Sequence, residues 1–402
     1  MGAPPARLSE LALRLQMSGH NVTVVTAFPN RPLGRIMEAY RGLWRMIETM
    51  DDICIIRTWI KPSAASAFFV NRLFTDLSFM FSSALMTARL LGRQDALIVQ
   101  NPPVFSVFSA RYLKLRTKAK VIIWCGDVWP DVLIQSGQLT NGLLVLLMRW
   151  VQIYGFKYCD LVALTNPTIA DEIKRKYQCS PVTVWSNGVD TNMFTPKKRS
   201  WAVRESLGAS EDNLLIGYLG LHGRFQGLDA ILDAASLLRE RKYLRFIFIG
   251  EGVEKKRLKE KAKQLRLDNV VFFDQRPKNE MPDIVASLDI SVVSLLTRMP
   301  GTMPSKFFEA LASGTVPLTA DGCEAAPLVA KYGAGLLYEP NDAQSAANAI
   351  ISFMEMSQVE REDMRNNVRD LAMRFERNKL SLFVENSLKA LVDGTKLPDA
   401  DW

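Results

Sequence analysis

Histidine is nearly missing from this chain: 402 residues hold two, His20 and His222, so chemistry that needs paired imidazoles has little material to work with. Cysteine is sparse as well. Cys54, Cys125, Cys159, Cys179 and Cys323 are odd in number, scattered and without metal-ligand spacing, which argues against a disulfide framework or a zinc module and for reduced thiols in a cytosolic compartment. No stretch reaches the roughly 18 uncharged apolar residues of a membrane span. The most apolar one, 67–91, is interrupted by Arg72, Asp76 and Arg89, and reads either as an amphipathic helix lying in a membrane interface or as an ordinary core helix. Low-complexity tracts are absent, and an apolar share of 48% makes the whole chain globular.

A chain of 402 residues exceeds what a single core usually supports and divides into two domains. The net charge of +8 is unevenly spread: residues 1–195 hold 21 Lys and Arg against 13 Asp and Glu, whereas residues 196–402 hold 29 against 29. A basic first domain suits an anionic lipid surface or a pyrophosphate-linked partner, or simply keeps that domain soluble. Short β-branched runs at 22–26, 96–100, 120–124, 161–165 and 182–185 alternate with helical stretches, and the pattern restarts at 214–220, 246–250, 270–273, 290–295 and 315–319. Strands alternating with helices predict parallel, doubly wound sheets, hence an α/β chain of two Rossmann-like domains. The join falls near Ser186 to Phe194, where Asn187-Gly188 supplies turn chemistry and Pro196 stops regular structure.

Three strings carry the chemistry. In GYLGLHGRFQGLD (217–229), Gly220, Gly223 and Gly227 let backbone amides approach an anion, and a helix starting near Leu228 adds its positive end. Any tight strand-loop-helix turn uses similar glycines, so this spacing alone is weak. In GTMPSKFFEALASGTVP (301–317), Glu309 stands between Phe308 and Ala310, a costly place for a carboxylate unless something hydrogen-bonds to it. In KVIIWCGDVWPD (120–131), Asp127, Trp129 and Asp131 follow a strand, where ligands bind in open parallel sheets, and Trp129-Pro130 is expected to offer an exposed aromatic face. Asn101 ends another strand. His20 reads as a helix C-terminal residue, while His222, inside the glycine loop, reads as a donor to phosphate or sugar hydroxyl. Arg224 is a phosphate contact or a solvated loop charge, and Glu251 reads first as a loop residue.

These strings, with the connector SNGVDTNMF at 186–194, resemble glycosyltransferase family 4, retaining enzymes of the two-domain GT-B type whose domains face across a cleft. The branch resembled is the one that builds colanic acid and O-antigen with N-acetyl-fucosamine-type sugars. The resemblance implies domains at 1–190 for the acceptor and 191–360 for the nucleotide-sugar, with 361–402 crossing back to the first. It implies that Glu309 grips the donor ribose, joined around the donor by Gly220, Gly223, Arg224, Gln226, Gly227, Gln275, Arg276, Arg298, Gly301, Thr302, Met303, Ser305 and Lys306. Gly2, Arg7, Asn101, Trp129 and Asp131 would meet the acceptor, and Asp127 and His222 would serve the chemistry. Three departures stand out. Leu221 and Gln226 occupy places where many members carry Arg and Lys, so Arg224, Lys306 and Arg298 are the replacement cations. Gly301 replaces a carboxylate eight positions before Glu309. The first strand of the first domain is lacking, so a start upstream or a truncated product is expected, with two ladders left unpaired.

The activity implied is transfer of a hexose, amino and deoxy sugars included, from a nucleotide-diphosphate donor to a polyprenyl-diphosphate-linked saccharide. Its place would be the inner face of the cell membrane, held peripherally on anionic lipid, with no cofactor, no metal and no nucleic acid involved. No pair of carboxylates suited to double displacement is evident at the strand ends, so front-face departure assisted by the leaving diphosphate is expected. The rivals are an inactive GT-B scaffold and a nucleotide-sugar 2-epimerase, the latter poorly served by two histidines.

Overall fold

The computed structural model describes residues 3–30, 34–63, 69–126, 128–135, 139–166, 170–179, 181–296 and 303–399. Its contacts divide the chain into two units, 1–186 with 381–401, and 187–380 with Trp402. The first unit carries β1 (Thr23–Ala27), β2 (Arg45–Met50), β3 (Ile53–Thr58), β4 (Ala96–Asn101), β5 (Lys120–Cys125), β6 (Leu161–Leu164) and β7 (Val182–Val184). They form two sheets, β1-β3-β2 and a wholly parallel β4-β5-β6-β7. Within the described residues β1 pairs only with β3 and β4 only with β5. Strands buried on both faces are apolar almost throughout: in β5, every residue from Val121 to Cys125 is buried. The hairpin β2–β3, absent from the sequence reading, turns at Asp51 and Asp52 with φ of 51° and 60°, the left-handed pair that a two-residue hairpin loop requires.

Three helices line up beside these sheets: Phe69–Thr87, Ser106–Thr117 and Gly142–Tyr158. The third lies tight on the second because Gly155 has no side chain; a Cβ there would meet Cγ1 of Val107 at 2.7 Å. Phe69–Thr87 covers the apolar stretch in question and packs on β1, β3 and the helix Ser106–Thr117, while Phe74, Phe81 and Leu85 stay exposed. No helix among the described residues is long and apolar enough to cross a membrane.

The second unit is one parallel sheet of β8 (Leu214–Leu219), β9 (Leu244–Ile249), β10 (Val270–Phe273), β11 (Ile290–Val293), β12 (Val316–Ala320) and β13 (Leu336–Tyr338), in the order β10-β9-β8-β11-β12-β13. The chain winds outward from β8 through β9 to β10, then jumps back to the other side of β8 to begin β11. The gap between β8 and β11 is therefore the topological switch point, where an open α/β sheet binds ligand beyond its strand carboxyl ends. The sequence reading started the return segment at 361. The helix Gln358–Arg374 instead buries Val368, Leu371 and Ala372 in the core of the second unit, and the first unit resumes only at Ser381, where Val384 joins Leu11, Leu15, Trp124 and Trp185.

Asp289 fastens β8 to β11 at their other ends. Its carboxylate accepts from Arg204 at 3.0 Å, from Arg199 at 2.7 Å and from the Leu215 amide at 2.9 Å. Burial alone would raise its pKa, but Arg199, the Leu215 amide and Arg204 together hold it below the usual carboxylate value. Arg204→Ala should lower the unfolding free energy of this unit by about 3 kcal/mol, because the buried Asp289 keeps Arg199 but loses its most buried cation, and the Ser287 and Asn213 carbonyls lose their donor. Urea unfolding followed by tryptophan fluorescence measures it. The stability lent by Asp289 is complete above its unfolded pKa, about 4, and is lost as pH falls through the lower folded value.

Candidate functional site

The loop between β8 and the helix Leu228–Leu237 lies at the switch point and is held on both sides by backbone. Gly220 N–H donates to Ile249 O at 2.9 Å, His222 N–H to Glu251 O at 2.8 Å, and Glu254 N–H to His222 O at 3.0 Å. On the other side Leu296 N–H donates to Phe225 O at 3.0 Å. Two glycines make this closeness possible. A Cβ on Gly252 (φ +157°) would stand 2.3 Å from the His222 carbonyl, and one on Gly227 (φ +61°) 2.6 Å from that of Leu295. The loop is thus pre-shaped, as an anion-binding turn needs to be.

Beneath it sits Lys306, in the first turn of the helix Ser305–Ala312. A Cβ on Gly220 would lie 3.7 Å from Nζ of Lys306, and that nitrogen is 3.9 Å from the centre of the Tyr218 ring. Lys306 as a residue is half-buried, yet its Nζ reaches no solvent and has no hydrogen-bond partner among the described residues. Burial brings its pKa down to about 8, with Cys323 and Glu309 opposing the fall. The group is therefore a cation at neutral pH. Tyr218 donates its hydroxyl toward Leu221 O at 2.7 Å and Gln226 Oε1 at 3.1 Å, so one ring supports both the loop and the ammonium. Glu309, one turn beyond Lys306, is raised by burial, against the pull of Arg377, Lys306 and Lys278. The same helix turns Phe307 and Phe308 into the core, which fixes the direction of Glu309. Met303, just before it, is buried and accepts from Asn187 Nδ2 at 3.1 Å.

Residues 6–193 match the family described as Glycosyltransferase Family 4 and residues 199–371 the one described as Glycosyl transferases group 1. The chain belongs to glycosyltransferase family 4. It is 25% identical over 358 residues, 85% of this chain and 86% of the other, to WcaI of Escherichia coli (strain K12), a glycosyl transferase assigned to colanic acid biosynthesis. Sucrose-phosphate synthase of Thermosynechococcus elongatus superposes with a TM-score of 0.76 at 16% identity, covering 98% of this chain and 94% of that one. Anabaena HepE, solved with UDP, gives 0.69 at 15%, covering 92% and 100%. The fold of this transferase is accordingly GT-B, with two Rossmann-like units.

Of the other residues that the resemblance assigns to a donor, Ser305 opens the helix and is exposed, as are Gln275 and Arg276 beyond β10. Arg224 is 77% exposed with Glu254 3.5 Å away. His222 is wholly enclosed by Tyr218, Phe248 and Phe272. Burial, with Lys255 beside it, brings its pKa down to about 4, leaving a neutral packed ring rather than an open donor. Gly2, Asp127, Arg298, Gly301 and Thr302 lie outside the described residues. Tyr218, which the sequence reading passed over, was legible only as the aromatic before Leu219-Gly220.

In the first unit the ends of β4 and β5 bring Arg7, Gln100 and Asn101 together. Arg7 donates to Gln100 Oε1 at 2.9 Å and lies 4.1 Å over the Trp124 ring, while Gly126 N–H donates to Asn101 O at 2.9 Å. Asn101 is fully buried and donates to Gln152 Oε1 at 3.3 Å. Asp131 is engaged by Lys176, by Arg149 at 3.5 Å and by the Tyr177 hydroxyl at 3.4 Å. The exposed aromatic face expected of Trp129 is corrected: it is 9% exposed, with the Arg72 guanidinium 5.8 Å from its ring. His20, at the end of the helix Ala3–Met17, pairs with Glu385 at 3.2 Å.

An ammonium buried without a hydrogen bond weakens the fold. Lys306→Met should therefore raise the unfolding free energy at pH 7 by about 1–3 kcal/mol. The sign follows from the depressed pKa: between about 8 and 10.5 the unfolded chain holds the extra proton, so wild-type stability climbs with pH across that window, and the variant loses the climb. Melting curves from pH 7 to 10 check both; a destabilised variant sinks the assignment.

Proposed function

We propose that this transferase moves a hexose from a nucleotide-diphosphate donor to a polyprenyl-diphosphate-linked saccharide during assembly of a bacterial surface polysaccharide. The observation that carries the reading is the unpartnered Lys306 ammonium under a glycine loop at the switch point. An anionic ligand there gains a charge-assisted bond to a cation whose desolvation the fold has already met, together with loop amides and the end of the helix Leu228–Leu237. Glu309, set on the helix Ser305–Ala312 with Lys306, suits a pair of ribose hydroxyls, for which a carboxylate is the natural acceptor.

In the mechanism that fits, charge develops on the leaving diphosphate as the bond to the anomeric carbon lengthens, and Lys306 meets that charge as it grows. The acceptor hydroxyl enters on the face the diphosphate vacates and passes its proton to a diphosphate oxygen, so configuration is retained without a carboxylate nucleophile. Lys306 and the amides take the role that a metal takes in other diphosphate sites. The likeness to WcaI, named for colanic acid biosynthesis, supports the polysaccharide setting, and HepE, solved with UDP-glucose, supports a nucleotide-sugar of that type. A lipid-linked acceptor places the work at the cytoplasmic membrane face, with the basic first unit toward anionic lipid.

Glu309→Gln should weaken nucleotide-sugar binding about 30- to 100-fold, the loss expected when a charged acceptor becomes neutral. Calorimetry with UDP- and GDP-sugars reads it directly, and labelled donor with native membranes tests transfer. Affinity for each of these donors unchanged by the substitution would remove the basis of the reading. Donor affinity should also fall as pH rises past about 8, where free Lys306 loses its charge.

A further inference from the structure

We infer that the first unit docks on anionic bilayers through the outer face of the helices Ser106–Thr117 and Gly142–Tyr158, with the cavity between them taking a lipid phosphate. The second helix buries Met148, Val151, Gly155 and Phe156, yet its opposite side is apolar too. Leu143 is 78% exposed, Leu146 65% and Trp150 55%, and Leu115 on the neighbouring helix is 72% exposed. Such a helix, apolar on both sides, is not what a surface helix facing only water looks like. Its aromatic residues form a row of tilted rings, Trp150 to Tyr154 at 5.7 Å and Tyr154 to Tyr158 at 4.4 Å, and Arg111 lies 4.5 Å over Tyr158.

Charge selects the partner. Arg111, Lys114, Arg116, Arg149 and Lys157 belong to these two helices, which contain no Asp or Glu. A second copy of the chain meeting this face around a two-fold axis would set cations against cations, whereas an anionic bilayer takes the aliphatic side chains into its interface, seats tryptophan and tyrosine at headgroup depth and answers the positive charge. Between the helices a cavity of about 360 Å³ is lined by Arg111, Lys114, Leu115, Lys118 and Tyr158. Asp160 engages Lys114 at 2.6 Å; Arg111 and Lys118 complete the cationic lining that a phosphate headgroup fits.

The inference deepens the reading above and rests on it for the choice of a membrane as partner; its test uses vesicles and does not involve the donor site. The full chain is sedimented with phosphatidylglycerol/phosphatidylethanolamine vesicles and with phosphatidylcholine vesicles. Binding is expected on the anionic vesicles, weakening steeply with salt. Leu146→Ser with Trp150→Ser should lower partitioning more than tenfold, and Arg111→Glu with Lys118→Glu at least fivefold per charge, about what one cation near such a surface contributes. Inorganic phosphate at millimolar concentration should leave the bound fraction unchanged, and Leu237→Ser, an exposed apolar residue of the second unit, should bind as wild type. Donor affinity, measured on every variant, reports folding and stays level; where the serine pair fails to fold, the charge reversals at exposed positions decide. Wild-type protein left in the supernatant, free phosphate displacing the chain, or both double variants binding like wild type overturns the inference. The last result would leave the transferase reading intact, and loss of donor binding by the unmodified chain would sink that reading alone.

Discussion

The second unit is organised around the clamping of one short loop. Residues 220–227 are pinned to the end of β9 by reciprocal backbone hydrogen bonds and to the end of β11 by another, and the two glycines at the contact points are what allow main chain to lie on main chain. That arrangement leaves a space below the loop which Lys306 fills. The cation has the Tyr218 ring for company and, among the described residues, no oxygen to bond, so the fold itself holds the charge in a fixed place. Preorganised charge of this kind stabilises a developing anion without the cost of reorientation at the moment of reaction.

Asp289 and the glycine loop do complementary work at opposite ends of β8 and β11. At one end Asp289 is saturated by two arginines and an amide; at the other Lys306 is left short of partners. The saturated pair holds the strands in register, which lets the other end carry an unfavourable group in a defined place. The group that stabilises the sheet and the group that weakens it are thus separated along the strand axis.

Strand positions were largely legible. The apolar runs from 96–100 to 315–319 each fall on a strand, because strands buried on both faces must be apolar without interruption. The hairpin β2–β3 escaped since β2 is exposed at nearly every position and its turn uses Asp51-Asp52 in place of a glycine. β13 escaped because three residues are too few to show a period. Among site residues, Lys306 and Glu309 were readable from their string, whereas Trp129 and His222 were read as open and are enclosed. Burial of a ring depends on what distant segments bring to it: Arg72 for Trp129, and Phe248 and Phe272 for His222.

The chain's own order of residues determined two doubly wound units, the glycine loop after β8 and the carboxylate of Glu309, since periodicity, turn chemistry and local spacing are properties of neighbours in sequence. Only the tertiary structure decided that Lys306 is the buried cation, that Arg224 is not, and that the helix Gly142–Tyr158 turns an apolar face outward. Electrostatic cost and exposure are set by atoms brought close from far along the chain, and no run of adjacent residues encodes them.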